Sequence, residues 1–337
     1  MRGVVFLGQR RLAIRDFADP TPGPAEAVIR IGASGICGSD LAPYRGAREQ
    51  QHVSGHEPCG TVAALGDGVT GWRVGDRVIV HHYSGCGVCR YCRIGYDQLC
   101  LQGHETYGFG SDGGNADCIR VPARCLVPLP AALSFAEGAA IACGTGTAYM
   151  ALKKLDISGR DTLAIYGQGP VGLSAMLLGK AMGARIIAVD LSPERLALAQ
   201  GLGADVVLQA DADDPVSAIR ALTAGEGADA TLDCTGNATA RAQTVRSARV
   251  FGRACFVGEG GTVTLEPSPD IIHRHLTLYG SWTFPTVGLD ECARWIVDRR
   301  IPLERLITHR FRLDEAPEAF RTFEGGATGK CVFLMEE

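Results

Sequence analysis

Tyr166-Gly167-Gln168-Gly169-Pro170-Val171-Gly172 lies where a short apolar run, Thr162–Tyr166, gives way to a stretch with helical spacing, 171–182. Its glycines permit a tight turn, close approach of a ligand to bare backbone, and close packing of helix on strand. The helix start adds N–H groups without partners and the positive end of a dipole, so the segment reads as a cradle for a pyrophosphate. Such glycine patterns arise by chance. Here the strand before and the helix after supply the context that gives the pattern meaning.

Outward from this loop the chain alternates strand and helix. Thr162–Tyr166, Arg185–Asp190, 205–208, 230–233 and 254–257 are short apolar runs; 171–182, Pro193–Leu202 and 240–248 carry helical spacing. That alternation predicts βαβ units and a Rossmann-type doubly wound parallel sheet. Asp190 ends the second run, where a carboxylate hydrogen-bonds ribose hydroxyls and repels a 2′-phosphate. NAD is therefore the expected cofactor, with NADP the less favoured one. Arg195 is of the type that accommodates such a phosphate. Beside Asp190 it reads instead as a surface helix residue or a clamp on the adenosine face.

The first third of the chain has a different rhythm. Runs at 27–31, 60–65, Arg77–Val80 and 118–121 are separated by Gly, Pro and Asp turns, which predicts a mostly β domain. Positions 135–155 are Ala- and Gly-rich with helical spacing. After Pro285 an amphipathic stretch, 288–299, leads to strand-like 306–311 and 330–335 and breaks the βαβ alternation. The expected organisation is thus 1–146 as one domain, 147–284 as the dinucleotide-binding domain, and 285–337 returning to the first. A length of 337 residues suits two domains.

Composition narrows the class. With 46% hydrophobic and 21% charged residues and a net charge of -4, nothing favours nucleic acid or an anionic membrane as partner. No stretch reads as a secretory signal or a membrane span, so the expected compartment is the cytoplasm. There, 13 cysteines are reduced thiols, and clustered ones are metal ligands before they are disulfides.

Cys86-Gly-Val-Cys89-Arg-Tyr-Cys92, followed by Cys100, is such a cluster within 86–100. Thiolates two residues apart turn around one ion, and four of them leave no open coordination position, so a structural zinc is expected. The bacterial iron–sulfur run ends in Cys-Pro, whereas Leu101 follows Cys100. Two further segments, Ile36-Cys37-Gly38-Ser39-Asp40 and Gly55-His56-Glu57-Pro58-Cys59-Gly60, offer half of a second zinc set. Either alone is weak, because lone cysteines and histidines are mostly packing residues. A catalytic zinc takes three protein ligands and keeps one position open, and Cys143 in Ile141-Ala142-Cys143-Gly144 is the best third candidate.

On these motifs the chain resembles the zinc-containing medium-chain alcohol dehydrogenases over essentially its full length. Gly55-His56-Glu57 followed by Gly60, Gly66 and Val69 follows that family's zinc motif, and the four-cysteine lobe stands where the family places it. The resemblance implies a GroES-like catalytic domain beside the Rossmann domain, two zincs per chain and a homodimer or homotetramer. It assigns Cys37, His56 and Cys143 to the catalytic zinc, with Glu57 behind the metal and a ligand in some relatives. Asp40 would orient His56, and Ser39 would take the proton of the substrate alcohol. Thr147 would contact the nicotinamide and Gly258 would lie near its carboxamide, while Gly167, Gly169, Pro170, Val171 and Gly172 hold the pyrophosphate. Several relatives carry a relay histidine three residues beyond the serine; Ala42 stands there, so the relay is expected to end at the cofactor ribose and water, with His52 as an alternative.

The expected activity is oxidation of a primary or secondary alcohol (a polyol, cyclitol or hydroxy amino acid among the candidates) to its carbonyl, or the reverse. Two rivals are a zinc-free quinone or enoyl reductase of the same superfamily and a non-catalytic dinucleotide-binding protein. The complete ligand set opposes the first, and Ser39 beside intact ligands opposes the second. Tyr44, His52, Tyr107 and Trp282 are candidate pocket residues, each equally readable as packing. The remaining cysteines, Cys59, Cys118, Cys125, Cys234, Cys255, Cys292 and Cys331, read as small buried hydrophobes.

Overall fold

The computed structural model describes residues 1–212 and 214–335; position 213 of the expected 147–284 domain and positions 336–337 of the expected 285–337 segment lie outside them. The chain forms two compact units, one of residues 1–146, 284–325 and the segment from Lys330, the other of residues 147–283 and 326–329.

The first unit is built on a seven-stranded sheet. Its order is Ile307–Phe311, Lys330–Leu334, Glu26–Ile36, Glu57–Leu65, Arg77–Val80 and Leu126–Pro128, with Cys118–Pro122 pairing along Glu26–Ile36. Glu26–Ile36 and Glu57–Leu65 run antiparallel with Gly35 opposite Glu57. The chain therefore leaves one strand at Cys37 and enters the next at His56 on the same edge of the sheet. An N-terminal hairpin, Arg2–Gly8 with Arg11–Asp16, was not evident from the sequence. It packs Phe6 against Phe320 of helix Ala316–Glu324, ring centroids 5.0 Å apart and nearly perpendicular, with Tyr44 5.2 Å from Phe320. Emptying such a site costs about 3–5 kcal/mol for a Phe-to-Ala change.

The second unit is a six-stranded parallel sheet in the order Val206–Gln209, Arg185–Asp190, Thr162–Tyr166, Ala228–Asp233, Ala248–Phe256, Thr277–Gly280. Numbered along the chain that order is 3-2-1-4-5-6, the doubly wound arrangement. Leu163, Ala164 and Ile165 have no exposed surface, as expected for a central strand covered on both faces. The order reverses beside Thr162–Tyr166, which puts the loop starting at Gly167 at the switch point where ligands bind in this architecture. Thr277–Gly280 is an edge strand with Leu278 partly exposed.

Candidate metal centres and dinucleotide loop

Cys37 opens a short turn, Gly38–Asp40, that closes on itself: the Cys37 N–H donates to Asp40 Oδ2 at 2.9 Å. The other carboxylate oxygen, Oδ1, lies 2.9 Å from His56 Nδ1, and both side chains are buried. A carboxylate only accepts, so Nδ1 carries the hydrogen and Nε2 is left for a ligand. Burial opposes charge on the ring, and Asp40 outweighs it and holds the His56 pKa well above its ordinary value. Ser39 Oγ lies 3.4 Å from His56 Nε2.

Cys143 reaches the same place from a helix. Helix Phe135–Ala140 begins with a capping box between Ser134 and Glu137, then widens into a π-turn, Ile141–Thr145, before continuing as Gly146–Lys154. Single π-turns are frequent at functional sites because they redirect one side chain without ending the helix. Cys143 Sγ lies 3.9 Å from Cys37 Sγ, and one ligand atom each from Cys37, His56, Glu57 and Cys143 falls within 4.8 Å of all the others. Metal–sulfur bonds of about 2.3 Å at tetrahedral angles put sulfurs about 3.8 Å apart, so the pair fits zinc.

Glu57 is buried against Lys330, whose Nζ also donates to Ile36 O at 3.0 Å. Gly35 has no room for a Cβ, which would stand 1.9 Å from Glu57 Oε2. Burial raises the Glu57 carboxyl to about 7 against the pull of Lys330, and Glu57 in turn keeps Lys330 charged despite its burial. Sequence reasoning did not single out Lys330, since its partners are remote along the chain. It also missed two rings beside His56: His82, centroid 5.1 Å away, and Phe109, 5.0 Å away. His82 Nδ1 lies 3.1 Å from the carbonyl of Ala142, the residue before Cys143. Burial, then the neighbouring His56, pushes the His82 pKa well below the ordinary imidazole value.

The candidate pocket residues fare differently. Tyr44 and Tyr107 are core residues, 2% and 4% exposed, in separate apolar clusters, because each ring is enclosed by aliphatic and aromatic neighbours. Trp282 is partly exposed in the second unit. The His52 Nε2 is sealed from solvent without a partner, and among the described residues no hydrogen bond joins His52 to Ser39. Of the remaining cysteines, Cys59, Cys125, Cys255, Cys292 and Cys331 are buried, and Cys118 and Cys234 are half-buried.

The four-cysteine lobe folds around its sulfurs. Cys86, Cys89, Cys92 and Cys100 place their sulfurs within 4.8 Å of one another. Backbone N–H groups of Cys89 and Cys86 donate to the sulfurs of Cys86 and Cys100 at 3.3 and 3.2 Å. Such donors favour thiolates: the backbone N–H groups of Val88 and Cys89 hold the Cys86 pKa below the ordinary thiol value, and those of Cys92 and Leu101 bring Cys89 to about 6. A Cβ on Gly85 would meet Cys92 Sγ at 2.6 Å, so a glycine is needed there. The lobe also grips the chain where it re-enters this unit. Gln98 Nε2 donates to Phe284 O at 3.1 Å and the Thr286 N–H to Gly95 O at 3.0 Å. Buried His81 faces the same Phe284 carbonyl from Nε2 at 3.0 Å and Tyr83 O from Nδ1 at 3.1 Å.

In the second unit, Gly167 has φ +90° and Gly172 would drive a Cβ to 1.8 Å from Gly167 O, so both must be glycine. Gly169 differs: a Cβ there would meet nothing within 4 Å. Its bareness faces open space at the start of helix Pro170–Ala181, the room a pyrophosphate needs. Asp190 accepts from the backbone N–H of Gln168 and, at 2.9 Å, of Ser192. Arg195 stands in the first turn of helix Pro193–Leu202, its Nε sealed without a partner. Thr147 is buried in the first turn of Gly146–Lys154. Arg241 holds the strand end by donating to Gly258 O.

Two family profiles match the chain: one described as an alcohol dehydrogenase GroES-like domain over residues 23–131, the other as a zinc-binding dehydrogenase over residues 170–297. The chain is 40% identical to an uncharacterised zinc-type alcohol dehydrogenase-like protein, YphC, of Escherichia coli strain K12, covering 96% of each. It is 34% identical to an L-threonine 3-dehydrogenase of Pyrococcus horikoshii over 94% of this chain and 93% of that one. Among solved structures, the alcohol dehydrogenase TADH from Thermus sp. ATN1 superposes with a TM-score of 0.92 at 31% identity, covering both chains completely.

Proposed function

The chain belongs to the zinc-containing medium-chain alcohol dehydrogenases, and we propose that within this family it is an NAD-linked enzyme with two zincs per chain. The observation that carries this reading is the convergence of Cys37, His56 and Cys143 on one point with Ser39 Oγ 3.4 Å from His56 Nε2. The substrate is a small primary or secondary alcohol bearing further polar groups, as the threonine dehydrogenase relative suggests.

Zinc held by Cys37, His56 and Cys143 would supply Lewis acidity to the alcohol oxygen, and NAD would supply the hydride acceptor. Ser39 Oγ would accept the proton of the alcohol and release its own to water, since Ala42 offers no relay group. Asp40 fixes the tautomer and orientation of His56. Glu57 stands behind the ligand set with Lys330 neutralising it. Cys86, Cys89, Cys92 and Cys100 hold the structural zinc, which stabilises the lobe. Asp190 favours NAD over NADP, and Gly167, Gly169, Pro170, Val171 and Gly172 receive the pyrophosphate. Thr147 and Gly258 serve the nicotinamide end, and Arg195 flanks the adenosine. The exposed edge strand Thr277–Gly280 supports self-association into a dimer or tetramer.

The test is an assay of NADH and NADPH formation over a panel of alcohols, with metal analysis of the same preparation. NAD-dependent turnover with about two zincs per chain is expected. A preparation with full zinc that oxidises no alcohol with either cofactor contradicts the reading.

A further inference from the structure

Ser34, Ser54 and Asn115 have no exposed surface, and they come from three separate segments of the first unit. Ser34 lies near the end of strand Glu26–Ile36, just before Cys37, and Ser54 precedes the Gly55-His56 pair. The Ser34 hydroxyl donates to Asn115 Oδ1 at 2.8 Å, and Asn115 Nδ2 donates to Ser54 Oγ at 3.2 Å. The backbone repeats the tie: the Asn115 N–H donates to Ser54 O at 2.9 Å and the Gly114 N–H to Gly55 O at 2.8 Å. Gly55 has φ +87°, and a Cβ there would stand on the Asn115 amide, so this glycine and this amide fit one another. One side chain thus fastens the two chain segments that deliver Cys37 and His56.

Stability does not call for polar groups at this place. Buried polar side chains that satisfy one another gain little over apolar ones of similar shape. What hydrogen bonds add is direction, and a fully satisfied buried network holds one arrangement where apolar packing tolerates several. Asp40 sets the rotation of the His56 ring but not the place of its backbone. A ligand needs both, held to within about 0.5 Å. We propose that Asn115 is a positioning residue for the catalytic zinc: through Ser34 and Ser54 it fixes the spacing of the Cys37 and His56 segments, and so the separation of their ligand atoms. The proposal rests on the zinc dehydrogenase reading. It gives to a buried amide outside the ligand set the part of the geometry that Asp40 leaves open.

The test compares the wild type with Asn115→Leu and with a triple variant that adds Ser34→Ala and Ser54→Ala. The single change leaves two buried hydroxyls unmet, so its Tm falls; the triple change removes those hydroxyls, and its Tm returns toward the wild type. Zinc affinity at the Cys37, His56 and Cys143 site is read by chelator competition. Its geometry is read from the visible spectrum of cobalt(II) placed there with zinc kept in the four-cysteine lobe, and activity by kcat/KM with NAD and with NADP. In both variants the affinity of that site is expected to fall about tenfold or more and the cobalt spectrum to shift, with the four-cysteine zinc unchanged. Affinity and spectrum that return with Tm in the triple variant show a packing role and overturn the proposal, as does a single variant with wild-type affinity and spectrum. Loss of affinity in the triple variant, with no alcohol oxidised by the wild type, upholds the role of Asn115 and contradicts the dehydrogenase reading instead.

Discussion

Asp40 Oδ1 and His56 Nδ1 stand 2.9 Å apart with both side chains buried, and the same carboxylate receives the N–H of Cys37. One residue therefore orients two of the three proposed ligands to the catalytic zinc. Asp40→Asn keeps the shape and an acceptor while removing the charge. Its affinity for the catalytic zinc is expected to fall about 10- to 100-fold, with the four-cysteine site unaffected. Titration with a competing chelator checks this by resolving the weaker site from the tighter one.

The four-cysteine lobe acts beyond its own loop, because Gln98 and Gly95 hold Phe284 and Thr286. The Phe284 ring also stands where a Cβ on Gly146, just beyond the π-turn of Cys143, would meet it at 2.8 Å. Cys89→Ser is expected to release one zinc per chain and to speed amide exchange at Thr286 as well as in the lobe. Exchange measured by mass spectrometry reads both. Faster exchange confined to 86–100 would show that the grip on Phe284 carries no stability.

His81 gives the fold an acid-sensitive point. Burial holds its pKa below the ordinary imidazole value, its two carbonyl contacts only partly offset this, and Asp97 and Arg124 act in opposite directions on it. The unfolded chain binds a proton at His81 below about pH 6.5 while the folded chain resists it. Stability from this group is therefore full above about pH 6.5 and is lost as the pH falls from there through the folded pKa. His81→Gln keeps one donor for Phe284 O and removes the titration. Its Tm is expected to lie below the wild type at pH 7 and to decline less steeply between pH 7 and 5. Parallel melting curves across that range decide it.

Asp190 accepts two backbone N–H groups in this structure, so it is already oriented at the end of its strand. Asp190→Ala is expected to lower kcat/KM with NAD by about 10- to 100-fold, the range for a charge-assisted hydrogen bond, and to raise the relative use of NADP. Steady-state kinetics with both cofactors measures the ratio, and a variant that keeps its NAD preference removes Asp190 from the role.

What was legible in the chain follows from how local each feature is. The four-cysteine lobe is contiguous, so its spacing suffices. The parallel sheet is legible because covered strands are uninterrupted apolar runs and the glycine loop marks the first turn. The catalytic ligands come from three segments, and Cys143 needed the family resemblance to be placed. Lys330 and Ile36 are 294 positions apart, and nothing near Lys330 signals a buried partner. Tyr44 and Tyr107 were equally readable as pocket or core, because an aromatic residue near a motif has the same local sequence either way; packing decided for the core. His81 and His82 stand side by side just before the lobe, a signal that was available, and their opposite partners (Phe284 and Ala142) appear only in three dimensions.

The central claim is that Cys37, His56 and Cys143 hold a zinc on which alcohol oxidation depends. It is tested most directly by measuring zinc per chain and NADH formation in the wild type and in Cys37→Ala and His56→Ala. About two zincs and turnover are expected in the wild type, and one zinc, retained fold by circular dichroism and loss of turnover in both variants. Wild-type turnover persisting in either variant, or two zincs remaining bound without Cys37 and without His56, would contradict it.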